Sequence, residues 1–509
     1  MENGSHTGHL EVILTSLLTV GTGIATLALV AFLWSRYRCK NTGRIPLPPG
    51  PRGVPLLGYL PFLRGQQHKA FRDIADKYGP VFRIKLGAMN VVVLNDFESI
   101  SEGYSKLLGR PKALFLDHAG LKGLANLNGR PWVENRRFCV RSITSGSYGG
   151  KTMDQQIAVR VRDEAVYLAR KISDTKGAAI NAGELVLPSV SNNVTALVLG
   201  ARYDFEDKRR TFLDGLLVKA MRCLAAGAVV TVMPIGLRAI ATLFFTKLGQ
   251  IRRIAEDLQT FFSQEVVSGQ ASGRQENSIS FIEDYKQMIA NEKGNANSCF
   301  KDEFLLGNIL TLFGAGSQTT YQTVVWHLLN LADKVDTVQR RIRHEVDLVV
   351  GRNRPPRWED RHDMPYTMAS IWELYRWRTP ALLGVPRQAE EDVVVGQYLI
   401  PAGTVVISNI WAAHMDPERW TDPEQFKPER FLTDEGSVLI EKPQNLIAFS
   451  IGKRMCPAEP LANAQVFVYI ALMVQRFVIL PEEGKSIDLS FDSDGLCVPR
   501  LQHLRFMER

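Results

Sequence analysis

A single cysteine near the end of the chain, between a glycine turn and a long apolar helical pattern, constrains the fold most strongly. It closes the stretch Phe449-Ser-Ile-Gly-Lys-Arg-Met-Cys456. The apolar residues after it recur at the spacing of one helix face, which predicts a helix that begins at or just after the cysteine. These residues are Pro460, Leu461, Ala462, Ala464, Val466, Phe467, Ile470 and Ala471.

This position suits a cysteine that binds iron. The ligand is the thiolate, which backbone N–H groups and a helix N-terminus stabilise. Gly452 lets the backbone approach a flat macrocycle, and the donor fork of Arg454 fits the propionates of a heme. An isolated cysteine is more often a small buried apolar side chain. The fixed offsets of Phe449, Gly452 and Arg454 favour the interpretation of Cys456 as an iron ligand.

The stretch resembles the heme-binding loop of the cytochrome P450 family, Phe-x-x-Gly-x-Arg-x-Cys-x-Gly, with Ala458 in place of the last glycine. The resemblance implies a mainly α fold with a small β-sheet region. It also implies heme b as the cofactor and Cys456 as the axial ligand of the heme iron. Phe449, Gly452 and Arg454 are implied as residues that bind the heme.

A second motif, Phe313-Gly-Ala-Gly-Ser-Gln-Thr-Thr320, lies within a long helical pattern. Its glycines weaken the helix, and a threonine hydroxyl can bond the carbonyl four residues earlier, which favours a bend. A nucleotide loop is the alternative, but the third glycine and the preceding strand are missing. The stretch resembles the oxygen-binding helix of the family, with a glutamine where the usual acid stands. The catalytic residues so implied are Ala315, Gly316, Gln318 and Thr319.

Three further resemblances follow the family's order along the chain. Glu373 and Arg376, followed by Arg430, resemble the Glu-Arg-Arg network, which supports the cysteine loop by charge-assisted hydrogen bonds. Trp132 and Arg136 lie one helical turn apart and resemble the propionate-binding helix, with Arg387 implied in the same role. The implied substrate pocket is apolar and includes Phe115, Leu116, Leu382, Leu383 and Val385.

The N-terminus predicts a membrane anchor. No residue from Val12 to Ser35 is charged, and a helix of that length crosses a hydrocarbon core of about 30 Å. Basic residues follow the run, and it lacks a cleavage site, which predicts a lumenal N-terminus and a cytoplasmic remainder. We therefore expect a lumenal segment (1–11), a transmembrane signal anchor (12–35), a basic and proline-rich hinge (36–52) and a heme-thiolate domain (53–509).

Elsewhere the patterns are mostly helical, with a helix stopped by Gly79-Pro80 and strands predicted over 81–86, 91–94, 393–399 and 405–408. The apolar region from Leu216 to Leu248 has two interpretations. Its composition is typical of a buried helical hairpin, whereas the family resemblance implies helices that dip into lipid. 

Composition excludes several classes. The 509 residues are 45% hydrophobic and can bury a large core. Six scattered cysteines argue against a disulfide framework or a zinc site. The net charge of +8 is spread along the chain, which argues against a nucleic-acid partner and suits anionic lipid or an acidic protein.

The resemblance covers essentially the whole chain and is closest to the animal microsomal branch, which hydroxylates steroids, fatty acids and foreign lipophiles. It implies a monooxygenase in the endoplasmic reticulum membrane, with electrons from NADPH through cytochrome P450 reductase and with cytochrome b5 as an additional partner. A reductase-independent isomerase or dehydratase and a non-catalytic heme sensor remain as alternatives.

Overall fold

The computed structural model describes residues 45–112, 122–144, 153–231, 246–268, 280–433, 439, 441–493 and 496–509. The chain divides into two units, Met1–Pro46 and Leu47–Arg509. The predicted anchor at 12–35 lies outside the described residues. The second unit starts ahead of the predicted boundary at residue 53, because the proline-rich segment already packs against a strand. There the N–H of Arg83 donates to the carbonyl oxygen of Pro49 at 2.7 Å.

Helices dominate the second unit. Within the described ranges, none is long and apolar enough to cross a membrane. In chain order they are α1 (Gln67–Tyr78), α2 (Phe97–Lys106), α3 (Gly129–Thr144), α4 (Met153–Ser173), α5 (Ala182–Leu199), α6 (Lys208–Thr231), α7 (Thr246–Ser268), α8 (Phe281–Asn291), α9 (Asp302–Asp333), α10 (Arg340–Val349), α11 (Pro365–Trp377), α12 (Ile410–His414) and α13 (Glu459–Arg476).

The strands are short and form small sheets, so the fold is mainly helical, as predicted. They pair in the orders β1-β2-β7-β4, β3-β11-β8, β10-β9 and β5-β6. Only the β2 and β7 pair is parallel among these described pairs. The strands are β1 (Val81–Leu86), β2 (Met89–Leu94), β3 (Ile180–Asn181), β4 (Arg387–Gln388), β5 (Val393–Val395), β6 (Tyr398–Ile400), β7 (Val405–Ser408), β8 (Phe477–Pro481), β9 (Phe491–Ser493), β10 (Cys497–Pro499) and β11 (His503–Glu508).

Local signals account for most of these elements. Helix α1 ends where Gly79 adopts a φ of 95°, and the strands predicted at 81–86 and 405–408 have those bounds. The single strand predicted over 393–399 is wrong. It is a hairpin of β5 and β6, because Gly396 turns the chain with a φ of 57°.

The core is built around α9 and α13. Every residue from Ala464 to Gln475 of α13 is buried, so this helix is surrounded on all sides. Leu216 and Leu217, at the start of the apolar region, also belong to the core. The side chains from 221 to 248 lie outside the described ones, so both interpretations of that region stay predictions. Because α13 is fixed by packing, the loop that precedes it starts from a rigid support.

Candidate active site

The cysteine loop turns sharply and leads into α13. The N–H of Cys456 donates to the carbonyl oxygen of Phe449 at 2.8 Å, and the N–H of Met455 donates to that of Gly452 at 3.0 Å. Helix α13 begins at Glu459, so the predicted position of the cysteine, just before a helix start, is confirmed.

Gly452 is required by the backbone of this loop. Its φ of 72° lies in the left-handed region, and a Cβ there would lie 2.8 Å from the carbonyl oxygen of Tyr104. Ser450 also has a positive φ, of 62°. The loop is therefore pressed against the end of α2 in a conformation that favours glycine.

The thiol of Cys456 is partly buried and free. Burial raises its pKa, the N–H of Ala458 lowers it by hydrogen bonding, the charge of Glu459 raises it, and Arg136 lowers it. The net direction is upward, so the thiol by itself is neutral at pH 7. A bound cation reverses this balance, because a thiolate that coordinates a metal is stabilised by the positive charge.

Arg454 is held by backbone groups on the neighbouring segments. Its Nε donates to the carbonyl oxygen of Leu108 at 2.9 Å. Its Nη2 donates to that of Leu127 at 2.7 Å and to Oδ1 of Asn128 at 3.0 Å. The guanidinium lies 3.8 Å from the ring centre of Trp132. The predicted heme-binding residues Arg454 and Trp132 are thus in direct contact.

Arg387 holds the same loop from another side. Its Nη1 donates to the carbonyl oxygens of Tyr104 and Leu107 at 2.7 and 2.9 Å. Its Nη2 donates to that of Ile451 at 2.9 Å and to Oγ of Ser450 at 3.4 Å. This buried arginine therefore joins α2 to the cysteine loop.

Two further arginines complete the group. Arg136 Nη2 donates to the carbonyl oxygen of Met455 at 2.7 Å. Arg110 Nη1 donates to those of Val385 and Pro386 at 2.8 and 2.7 Å. Arg110 was not predicted from the sequence. Its contacts come from residues far along the chain, so no local pattern signals its role. We call Arg110, Arg136, Arg387 and Arg454 the arginine cluster.

The arginine cluster has no carboxylate partner among the described residues. Burial lowers the pKa of Arg454 to about 9, and the charges of Arg110 and Arg387 add to the effect. Burial also lowers the pKa of Arg110 and of Arg387 to about 10. Buried donors on Arg110, Arg387 and Arg454 have no partner within the part of the chain that the structure describes. Buried cations of this kind require an anion, and a ligand with two carboxylates fits them.

Helix α9 presents one accessible face within a buried helix. Ala315 is the only exposed residue between Phe304 and Ala332, all of which are described. Thr311 and Thr319, four residues away on either side, share its face and are partly buried. The hydroxyl of Thr319 donates to the carbonyl oxygen of Ala315 at 2.7 Å, as predicted. The helix is continuous through this motif.

The other two predicted residues of α9 lie away from this face. Gly316 packs against α5, where an added Cβ would lie 3.2 Å from Val194. Gln318 is 7% exposed, and its Oε1 has no hydrogen-bond partner among the described residues.

The three residues of the predicted Glu-Arg-Arg network lie together. Arg376 donates from Nε and Nη2 to the two carboxylate oxygens of Glu373 at 2.8 and 2.7 Å, and both side chains are fully buried. Arg430 Nε lies 3.0 Å from Glu373 Oε2. The N–H of Lys427 donates to Oε1 at 2.8 Å. The carboxylate of Glu373 on α11 therefore binds two arginines and the backbone of the segment that contains Lys427.

His414 extends this network to the cysteine loop. Arg376 Nη1 donates to the carbonyl oxygen of His414 at 2.9 Å, and His414 Nε2 accepts from the N–H of Ile447 at 3.0 Å. Burial, with the charges of Arg376 and Lys442, lowers the pKa of His414 to about 3, so the ring is neutral at pH 7. This link could not be predicted from the sequence, since nothing in the local pattern distinguishes His414 from other core residues.

Three of the five predicted pocket residues are described by the structure. Phe115 and Leu116 lie outside the described residues. Leu382 is 1% exposed and belongs to the core, and Leu383 packs beside the β1-β2 sheet. Val385 is 46% exposed. Leu383 is partly buried, so both Leu383 and Val385 remain accessible to a ligand, and the pocket stays a prediction.

No group of three or more histidine, cysteine or acidic side chains in the described part of the chain could hold a bare metal ion. A single thiolate beside a cluster of cations instead fits a cofactor that brings its own iron ligands and its own carboxylates. The cytochrome P450 family model matches residues 48–504. The chain belongs to the cytochrome P450 family.

Relatives of this P450 span its length. It is 30% identical to cytochrome P450 2A9 of Mesocricetus auratus, over 92% of this chain and 96% of that protein. It is 30% identical to cytochrome P450 18a1 of Drosophila melanogaster, over 92% and 88%. It is 31% identical to cytochrome P450 1A1 of Oryctolagus cuniculus, over 87% of each. The protein is accordingly a P450 monooxygenase with a heme iron.

Proposed function

We propose that this P450 inserts one oxygen atom from dioxygen into a lipophilic substrate, a steroid, a fatty acid or a foreign compound. Electrons come from NADPH through a separate cytochrome P450 reductase, with cytochrome b5 as an additional donor. The observation that carries the proposal is the arginine cluster beside the thiol of Cys456. It supplies buried donors that have no partner among the described residues, and these donors can bind an anion next to a ligand for iron.

The residues fit heme b. Cys456 would bind the iron as a thiolate, while Arg136, Arg387, Arg454 and Trp132 would hold the propionates. Bound heme supplies the activation of dioxygen and the oxidation of the substrate. Phe449 fixes the start of the cysteine loop against α11, because its ring packs edge-on against Tyr375 with 4.9 Å between ring centres.

The protein's own residues would orient the substrate and deliver protons. The methyl group of Ala315 leaves its exposed face of α9 open to an apolar molecule. The hydroxyl of Thr319 donates to the carbonyl oxygen of Ala315. Its oxygen can therefore still accept a hydrogen bond from a proton donor such as water. Gln318 cannot titrate, so it would orient water in place of an acid.

We also propose a single-pass position in the endoplasmic reticulum membrane, with residues 12–35 as the anchor and the catalytic domain in the cytoplasm. Large apolar side chains are exposed at the start of the second unit, at Val54, Leu56, Leu57 and Phe62. An exposed apolar group of this kind favours contact with lipid.

The test is reconstitution of the heme-loaded protein with purified reductase, NADPH and lipid extracts, under dioxygen labelled with oxygen-18. We expect a product that carries one labelled atom and that forms only when both reductase and NADPH are present. A product that forms without reductase identifies an isomerase or dehydratase. Binding of lipids without any product identifies a sensor, and either result contradicts the proposal.

A further inference from the structure

An ion pair lies beside the cysteine loop and takes no part in the proposed heme contacts. Glu459 is the first residue of α13 and follows Cys456 by three positions. Its Oε1 pairs with Nζ of Lys442, and the two side chains are 16% and 35% exposed. One positive and one negative charge are therefore held together at the start of the helix that follows the iron ligand.

The ion pair packs against the loop itself. Lys442 Nζ lies 5.8 Å from the ring centre of Phe449. The carbonyl oxygen of Phe449 accepts the N–H of Cys456 at 2.8 Å. Only one residue therefore lies between the ammonium group and the backbone of the cysteine.

The charge of Glu459 acts on the sulphur. Burial is the main cause of the raised pKa of the Cys456 thiol, and the carboxylate of Glu459 raises that pKa further. The buried hydroxyl of Tyr375 is influenced by both groups, since burial, then Glu459 and then Cys456 raise its pKa. The carboxylate and the sulphur thus share a largely buried space, in which charges interact more strongly than in water.

We propose that the ion pair of Lys442 and Glu459 sets the reduction potential of the heme iron through the thiolate of Cys456. The inference rests on the proposed function, in which the reductase supplies one electron that converts ferric to ferrous iron. That electron adds negative charge, which a nearby carboxylate opposes and a nearby ammonium group favours. In the pair the two effects largely cancel. Both side chains act through the thiolate and are positioning residues.

A purely structural role for the same pair makes a different prediction. Glu459 lies in the first turn of α13, where a negative charge stabilises a helix. If that were its whole role, its loss would lower the stability of the protein and leave the potential unchanged. The reduction potential therefore separates the two roles.

The test is a spectroelectrochemical titration of the full-length, heme-loaded protein, with chemical mediators as the source of electrons. We expect Glu459→Gln to raise the equilibrium constant for reduction about tenfold and Lys442→Gln to lower it about tenfold. For one electron this is about 59 mV in opposite directions. The double variant should lie close to the unaltered protein, because it carries neither charge.

Shifts of the same sign in the two single variants, or no shift in either, contradict the inference. A double variant that differs from the unaltered protein as much as a single variant does also contradicts it. Because the titration needs neither reductase nor substrate, its outcome is independent of product formation, which tests the proposed function.

A second ion pair provides the matched control. Lys485 Nζ lies 2.9 Å from Glu482 Oε2. This pair follows β8, beyond the far end of α13, whose 18 residues extend about 27 Å. Glu482→Gln changes the net charge as Glu459→Gln does, and we expect it to leave the potential unchanged. An equal shift in both variants would mean that net charge alone is responsible, and would overturn the inference.

Discussion

At the scale of single residues, the cysteine loop is fixed mainly through its backbone. The N–H of Cys456 bonds to Phe449, Gly452 lies against Tyr104, and Arg387 binds the carbonyl oxygen of Ile451. The orientation of the Cys456 side chain therefore depends on these backbone contacts, and a substitution at one loop residue can disturb it.

Gly452→Ala should destabilise the protein more than Gly484→Ala. Both glycines have a φ near 72°, at 72° and 73°, so both substitutions cost strain. Only at Gly452 does the added Cβ meet another group, the carbonyl oxygen of Tyr104 at 2.8 Å, which adds about 1–3 kcal/mol. Thermal unfolding of the heme-loaded variants checks this. Equal losses would show that the contact with Tyr104 relaxes.

Cys456→Ser should abolish the ferrous–CO absorption band that is typical of thiolate ligation. A neutral hydroxyl cannot supply the electron density of a thiolate. Cys139→Ser is the control, since Cys139 is fully buried in the core and its variant should keep the band. A band that survives in Cys456→Ser would exclude this residue as the ligand.

Thr319→Ala should divert reducing equivalents to hydrogen peroxide, whereas Gln318→Glu should keep or improve coupling. The alanine variant loses the hydroxyl beside Ala315, and the glutamate variant introduces a titratable proton donor. We expect the ratio of product to NADPH consumed to fall about fivefold or more in Thr319→Ala. An unchanged ratio would count against the proton-relay role of α9 and favour the isomerase or sensor.

At the scale of elements, α9, α11 and α13 form a rigid frame to which the site is attached. Glu373 on α11 holds two arginines, and His414 links them to the N–H of Ile447 ahead of the loop. Because these side chains are buried, the frame depends on complete pairing of its charges.

Glu373→Gln should lower the free energy of unfolding by roughly 3–5 kcal/mol, because it leaves Arg376 and Arg430 without a carboxylate. Glu134→Gln breaks a pair of the same spacing, with Arg137, in which the arginine is 63% exposed, and should cost less than about 1 kcal/mol. Thermal unfolding and heme content measure both. A small effect at Glu373 would mean that the backbone carbonyls around Arg376 suffice to hold it.

The sequence predicts those elements whose signals lie within the element itself. The strands β1 and β2 and the helix after Cys456 have periodic patterns and clear ends. The sequence predicts all three, although β2 starts at Met89 and not at residue 91. The β3-β11-β8 sheet was not predicted, because it joins Ile180 to residues some three hundred positions later, and no local pattern encodes that pairing. Arg110 was missed for the same reason, since its role depends on distant neighbours.

At the scale of the whole molecule, the domain combines a buried helical core with an apolar exterior near its start. The exposed side chains of Leu56 and Phe62 favour contact with a membrane surface, and the lipid-dipping interpretation of 216–248 predicts the same contact. Under the proposed membrane location, the predicted anchor would be one of several contacts with lipid.

Removal of residues 1–44 should release only part of the protein from membranes. The remaining chain keeps the exposed apolar groups, which bind reversibly at the interface. Fractionation in high salt, with the full-length chain alongside, separates this contact from electrostatic binding. Complete release of the truncated chain would contradict the lipid-dipping interpretation of 216–248.

The arginine cluster links folding to cofactor supply. Three buried cations and the half-buried Arg136, which have no carboxylate partner among the described residues, repel one another, so the heme-free fold carries an electrostatic penalty that a dianionic ligand removes. By mass action, each tenfold rise in free heme above its dissociation constant then adds about 1.4 kcal/mol to the free energy of unfolding. The amount of folded protein in a cell would consequently follow the availability of heme as well as the rate of synthesis.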